Sequence, residues 1–511
     1  VRHRLTTLGL VLLAYGVALV QRPGELVAET KVDLYLEPAR FVERVLSVWA
    51  PTGDLGHLFG AQYSGYLWPM GPWFALGDAL GVPMWLVHRL WLGTLLALAG
   101  WGVVRLLDAL VGPRRGALHA AAGVLYVINP YVTVYVDRTS ITLLAYAALP
   151  WLLLAVHRAL REPRGWRWPA FFALVLTSTG GGVNVAVTAW LLLGPLLLAA
   201  YERLWGEDVP PRALRQVAWR MAAVNVAAQL WWVVPVAVQA MAAPSFLPFT
   251  EQPGTIWSTT SLPETLRLMG FWTSYVGVGF GGVLRPFQAS GPALLLLLPV
   301  VIAGLLIPAL ALGAFTLTRR RRYVPFFALM LLVGLVVMTV GWPEGTPLRR
   351  LATAAYYRVE SLQFARTTYK AGALVALAIA VLGGAAFAAG WARLRGRAAR
   401  AALAACGAAL VALASWPLVS GRAPEPQLSI DMPDHWRQVA RDLDERRDEG
   451  RALLLPGQLF AYYAWGGTVD AVLPTLTDRP VATRWVVPYA DLRATDMQWT
   501  VDRLVTQDRL G

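Results

Sequence analysis

Apolar residues dominate the chain in long runs, separated by short arginine-rich breaks or by longer polar stretches. A helix needs about 20 mostly apolar residues to cross the hydrocarbon core. Runs that meet or approach this length lie at 5–21, 84–108, 117–136, 140–157, 168–180, 183–202, 216–241, 291–318, 323–341, 371–392 and 399–419, which predicts about eleven spans. The fifth run is short and ends in Gly180-Gly181-Gly182. Irregular backbone survives at membrane depth only where protein or a wet cavity shields it, so a half-length, broken hairpin is expected there. The first run follows Val1-Arg2-His3-Arg4 and ends at Gln21-Arg22-Pro23. It lacks a small-x-small cleavage site and reads as an uncleaved span.

Past residue 420 the pattern changes. Arg441 to Glu449 is a charged, solvated helix face, and Ala452-Leu453-Leu454-Leu455-Pro456 reads as a strand bounded by turn signals. The chain is thus expected to be an all-α polytopic membrane protein over 1–420. A small α/β tail follows over 421–511, outside the membrane and without a closing element before Gly511. The first polar loop, 22–83, is expected to hold a helix from Arg40 to Trp49.

The arginines orient this pattern. Cytoplasmic loops carry the excess of Arg and Lys. With the N-terminus inside, the inner breaks hold Arg2 and Arg4, then Arg105, Arg114 and Arg115, then Arg158 to Arg167, Arg203 to Arg220, Arg319 to Arg322, and Arg393 to Arg400. The outer loops then carry the long stretches rich in Trp, Tyr and Pro. Composition agrees: 57% of the 511 residues are hydrophobic and 15% charged, against roughly 25% charged in soluble domains. The net charge of +14 lies in these breaks, with no basic face or nucleic-acid motif. Lysine occurs only at Lys31 and Lys370, and the single cysteine, Cys406, sits in an Ala-rich run. No internal disulfide or zinc spacing exists.

Candidate chemistry is sparse and lies in the outer loops. There is no P-loop, Rossmann fingerprint, HExxH or GxSxG motif, so a soluble nucleotide sugar is not the expected donor, and a lipid-linked donor fits. Asp33 and Glu37 lie in Thr30-Lys31-Val32-Asp33-Leu34-Tyr35-Leu36-Glu37-Pro38, directly after the first span. A carboxylate there suits a base that takes a proton from an acceptor hydroxyl; a solvated loop acid is the other reading. Glu37 is a supporting acid at most. Arg358, Arg366 and Lys370 precede the tenth span. They suit a clamp for a departing phosphate, or snorkelling beside lipid headgroups. His57, Tyr63, Tyr66 and Trp68 have rings suited to stacking on sugars, although an interfacial aromatic belt accounts for the Tyr and Trp equally. Asp137 and Arg138 form an outer-loop charge pair that orients an acceptor or a metal, or pairs locally.

Four stretches carry a resemblance to a known family. They are Thr30-Lys31-Val32-Asp33-Leu34, Gly65-Tyr66-Leu67-Trp68-Pro69-Met70-Gly71-Pro72, Gly181-Gly182-Val183-Asn184, and Phe364-Ala365-Arg366-Thr367-Thr368-Tyr369-Lys370. Together they resemble the membrane arabinofuranosyltransferases of the mycobacterial cell wall, and most closely the alpha-(1→3)-arabinofuranosyltransferase D family. The resemblance implies a GT-C glycosyltransferase fold and a decaprenyl-phosphoryl-arabinose donor. It also implies an arabinan acceptor, of arabinogalactan or lipoarabinomannan, and an inverting transfer with Asp33 as general base. Lys31 joins the acceptor-side residues. A divalent cation near Asp33 is compatible with such chemistry, although no ligand set stands out. Members of the family are longer, with carbohydrate-binding modules after the membrane core. The stretch Asn129-Pro130-Tyr131 has no counterpart in this pattern. Alternatives are a GT-C mannosyl- or oligosaccharyltransferase, a lipid-sugar or polysaccharide transporter, and a non-catalytic glycan-binding scaffold. A transporter often shows paired halves, and no internal repeat is visible.

Overall fold

A computed structural model describes residues 2–509 except 28, 30, 54, 59–60, 114–115, 138, 207–208, 243–244, 246, 248–249, 281–282, 319–322, 458–460, 485–491 and 508. Eight helices among these are long and apolar enough to cross a membrane, and three shorter apolar helices lie at Leu5–Leu19, Arg167–Thr177 and Val324–Met338. Each run of the hydrophobic pattern contains one of them.

The helix Gly372–Arg393 sits at the centre of the bundle. It is apolar all round, and every residue from Gly372 to Ala385 is buried, as expected of a helix with no face to give to water. It packs against Ala117–Val127, Leu298–Thr318 and Val324–Met338. Small residues allow this. A Cβ on Gly384 would lie 2.9 Å from Ala122 Cβ and 3.0 Å from Leu118 O, so the two backbones are nearly in contact, as small residues permit between membrane helices. A second packed layer joins Arg2–Leu19, Met84–Val111 and Ile141–Arg161. Pro211–Ala242 and Arg397–Ala414 lie at the edge and leave Val226, Leu230, Val234 and Leu413 exposed, a surface suited to lipid tails.

Local chemistry redraws several boundaries. The expected helix from Arg40 to Trp49 spans Pro38–Val45 instead. Pro38 occupies its first turn, where a missing N–H costs nothing, and Trp49 pairs with Leu58 in a two-stranded ribbon. The run 117–136 is broken at Asn129 into Ala117–Val127 and Pro130–Val136. Asn129 explains the break. Its side-chain oxygen accepts from Val132 N at 3.0 Å, and its amide donates to Leu125 O and Tyr126 O. It thereby caps one helix and closes the other. The run ending in the glycine triplet forms the eleven-residue helix Arg167–Thr177, followed by turns to Val185–Trp205. This is the half-length hairpin expected from the sequence.

The tail folds back onto the first polar loop. Leu26–Val27 pairs antiparallel with Ser429–Ile430, and Val481 N donates to Thr52 O at 3.0 Å. Arg44 donates to the carbonyls of Pro474 (2.9 Å) and Thr477 (2.7 Å). Val32 is buried with Ala440, Val472, Leu473 and Leu476 in a small second core. The tail itself combines the helices Asp434–Glu445 and Leu492–Thr506 with short paired strands.

Candidate active site

After the first span, turns lead into the short strand Leu26–Val27, and Asp33–Leu36 forms a one-turn helix. Leu34 and Tyr35 point inward, and Tyr35 meets Phe74 edge-on at 4.8 Å. This anchoring fixes the backbone and leaves Asp33 half-buried beside them. Its carboxylate accepts from Leu34 N at 3.1 Å. No salt bridge reaches it among the described residues. Burial pushes its pKa up to about 6, and the nearby Asp470 carboxylate adds to this; Lys31, Arg44 and the Leu34 N–H pull the other way. Asp33 is therefore a carboxylate of raised basicity, ionised at neutral pH and without an ion-pair partner among the described residues.

Lys31, two residues earlier, is buried. Its ammonium lies 2.7 Å from Asp470 Oδ2, a residue of the tail, and 4.2 Å over the Tyr63 ring. Asp470 is the member of this cluster that sequence reasoning missed. A lone acid more than four hundred residues downstream carries no local signature. Glu29 was missed too. It is fully buried, 2.7 Å from His88 Nε2, and accepts from Ser140 N at 2.9 Å. Arg89 completes this network through His88 Nδ1 and Gln21 O. These bonds tie Glu29 to the helices Met84–Val111 and Ile141–Arg161. The alternation Glu29, Lys31, Asp33 is the only sequence sign of that arrangement.

The other candidates are placed as follows. Glu37 pairs with Arg437 of the tail at 2.6 Å, partly exposed. Tyr63 and Tyr66 are buried, and the Tyr63 ring carries Lys31. His57 is buried as well, and burial lowers its pKa to about 4, so it is neutral at pH 7. These three rings therefore pack inside the first loop and turn no open face to a sugar. Trp68 is exposed and donates to Ser178 Oγ at 3.0 Å. Asp137 is buried and accepts from Glu425 N at 2.6 Å, which fixes the start of the tail; Arg138 lies outside the described residues.

Two of the stretches that carried the resemblance meet. A Cβ on Gly65 would lie 2.8 Å from Gly182 C and 2.6 Å from a Val183 methyl. Only glycine lets the first-loop helix Ala61–Leu67 sit on the glycine hairpin. One turn beyond that hairpin, Val187 lines a small pocket with Tyr131, Thr142, Tyr146, Trp190 and Lys370. Among the described residues, no hydrogen bond or salt bridge holds the Lys370 ammonium, and the buried Trp190 indole N–H lacks an acceptor. Arg366 points elsewhere. It donates to Glu251 O (2.9 Å) and Thr250 Oγ1 (2.6 Å), binding its loop to the preceding one. Arg358 ends its helix exposed.

Two carboxylates act on each other here, Asp33 and Asp470, and the second is bonded to the Lys31 ammonium. Among the described residues no three His, Cys, Asp or Glu side chains gather to hold a metal.

Residues 13–510 match the family model described as alpha-(1->3)-arabinofuranosyltransferase, N-terminal GT-C domain. An alpha-(1->3)-arabinofuranosyltransferase of Mycolicibacterium smegmatis is 30% identical over 96% of this chain and 34% of its own length. The protein of the same name from Mycobacterium tuberculosis is 30% identical over 99% of this chain and 36% of its own. The chain thus spans about a third of the length of the curated relatives it matches. The cryo-EM structure of the arabinofuranosyltransferase AftD from Mycobacteria superposes with a TM-score of 0.75 at 24% identity, over 98% of this chain and 33% of that one.

Proposed function

This chain belongs to the family of alpha-(1->3)-arabinofuranosyltransferase N-terminal GT-C domains, and from that premise we propose that it transfers arabinofuranose from decaprenyl-phosphoryl-arabinose to a cell-wall arabinan, of arabinogalactan or lipoarabinomannan. The reaction takes place at the outer face of the plasma membrane, with the arginine-rich loops inside and the tail outside. Asp33 takes the proton of an acceptor hydroxyl as that oxygen attacks the anomeric carbon. The new carbon–oxygen bond forms as the bond from the anomeric carbon to phosphate breaks. Its electron pair leaves with the polyprenyl phosphate. One displacement inverts the anomeric configuration.

The observation that carries this reading is the state of Asp33. A general base works best with a pKa near the operating pH. A half-buried carboxylate with no ion pair among the described residues, pushed up to about 6, is closer to that condition than a solvated acid. The leaving phosphate needs positive charge and N–H donors where its charge develops. Lys370 and Trp190 supply both at one pocket. Lys370 is therefore the first choice for the phosphate, with Arg366 and Arg358 further out. Trp68 is the exposed ring left for an acceptor sugar.

The test is donor competition in proteoliposomes. Radiolabelled decaprenyl-phosphoryl-arabinose and a synthetic arabinan acceptor are challenged with unlabelled decaprenyl-phosphoryl-mannose. The reading predicts that an equal amount of the mannose lipid leaves about nine-tenths or more of the pentose transfer in place, given the roughly tenfold or greater discrimination one differing group affords. Transfer of mannose instead, or movement of lipid without any glycosidic product, contradicts it.

A further inference from the structure

We propose that Asp470 of the tail is a positioning residue for the transfer: by holding the Lys31 ammonium, it keeps that cation from pairing with Asp33. This inference rests on Asp33 being the base.

Lys31 and Asp33 are two residues apart on one short, anchored segment. The two are within electrostatic reach of each other, and Asp470 takes the ammonium at 2.7 Å, with the Lys31 side chain 3% exposed. A buried ammonium must have a counter-charge. Asp33, two residues along the chain, is a carboxylate on which the Lys31 charge already acts. Their pairing would stabilise the ionised form of Asp33 and weaken it as a base. Asp470 is itself fixed, because the segment that carries it lies against Val32 and Leu36, the residues on either side of Asp33. Val472 and Leu473 form the small core there, and Thr468 Oγ1 donates to the Asp470 carbonyl at 2.6 Å. Among the described residues, the groups that act on Asp33 include Lys31 and Tyr35 from its own segment, Arg44 from the next helix, and Asp470. Arg44 is already committed to Pro474 O, Thr477 O and Asp478. The Lys31–Asp470 pair is thus the adjustable contact. It places the tail within the active site, where the sequence alone suggested an appendage.

The test is the pH profile of arabinose transfer from decaprenyl-phosphoryl-arabinose by the full chain in proteoliposomes. In Asp470→Asn the acidic limb should move down by about one pH unit, with turnover falling about tenfold, because Lys31 turns to Asp33. In Lys31→Met the limb should move up, because Asp470 then acts on Asp33 unopposed. The double variant should return close to the wild-type limb, since both charges are gone. A purely structural role predicts lower turnover in both single variants, an unmoved limb, and no recovery in the double variant; that result overturns the proposal. A wild-type profile in Asp470→Asn overturns it as well. If Asp470→Asn does not fold, Lys31→Met decides: an upward shift supports the proposal and an unmoved limb rejects it. Wild-type turnover in Asp33→Asn would instead reject the assignment of the base, a separate failure.

Discussion

Replacing Asp33 by asparagine should make the protein more stable. Burial lifts the pKa of Asp33 from 3.8 to about 6, so the folded state holds the charged form less well than the unfolded chain does. The difference is about 2 units, and one unit is worth about 1.4 kcal/mol. At pH 8, where the carboxylate is ionised in both states, the charge therefore costs the fold up to about 3 kcal/mol. Asparagine removes that charge and keeps an oxygen for the Leu34 N–H. Its amide must find partners in a half-buried site, so a net gain of about 1–2 kcal/mol is expected. For a chain of this size that is a rise of about 1–4 °C in melting temperature. The sign has a pH signature. A raised carboxylate pKa makes the wild-type fold gain stability as pH falls through about 6 towards 3.8. The advantage of Asp33→Asn should accordingly be full at pH 8 and gone by about pH 4. The assay is intrinsic fluorescence during heating, in one detergent, at both pH values. A variant that melts below wild type at pH 8, or a gain that does not change with pH, would refute the argument that Asp33 is a strained carboxylate.

Other substitutions separate packing from chemistry. Gly65→Ala puts a methyl into Gly182 and Val183; it should cost about 1–3 kcal/mol and lower the melting temperature and transfer together. Lys370→Met should raise the KM for the lipid donor about 10- to 100-fold, the worth of one charged hydrogen bond, with the KM for acceptor unchanged in the same kinetic series. Glu37→Gln breaks a partly exposed pair with Arg437; stability should shift by less than about 0.5 kcal/mol, with transfer rates kept, as thermal melts and the transfer assay will show.

The apolar helices were legible in the sequence because each needs a long apolar run, although among the described residues eight rather than eleven are long and apolar enough to cross a membrane. The half-length hairpin was legible from Gly180-Gly181-Gly182, since backbone at that depth must be shielded. The split at Asn129 was not. Its cause is a side chain that bonds to its own neighbours, which leaves the apolar pattern of 117–136 intact. The helix expected to reach Trp49 stops at Val45, because Trp49 pairs with a strand that hydropathy does not reveal. The site was half legible. Asp33 stood out as an acid beside an apolar run. His57, Tyr63 and Tyr66 looked like surface rings, but their loop is folded against the tail and buries them. The partners that define the cluster, Asp470 on Lys31 and Arg437 on Glu37, come from the far end of the chain. No spacing rule joins residues that distant; only the return of the tail, through Leu26–Val27 and Ser429–Ile430, brings them together.

The account rests on Asp33 as the base, and turnover by the stabilised Asp33→Asn variant tests that most directly. Wild type and variant, each shown folded by its melting curve, are given decaprenyl-phosphoryl-arabinose and an arabinan acceptor in proteoliposomes. Loss of a general base predicts transfer slowed by about 10²–10⁴-fold at unchanged donor binding. Transfer within a fewfold of wild type by a folded variant would contradict it.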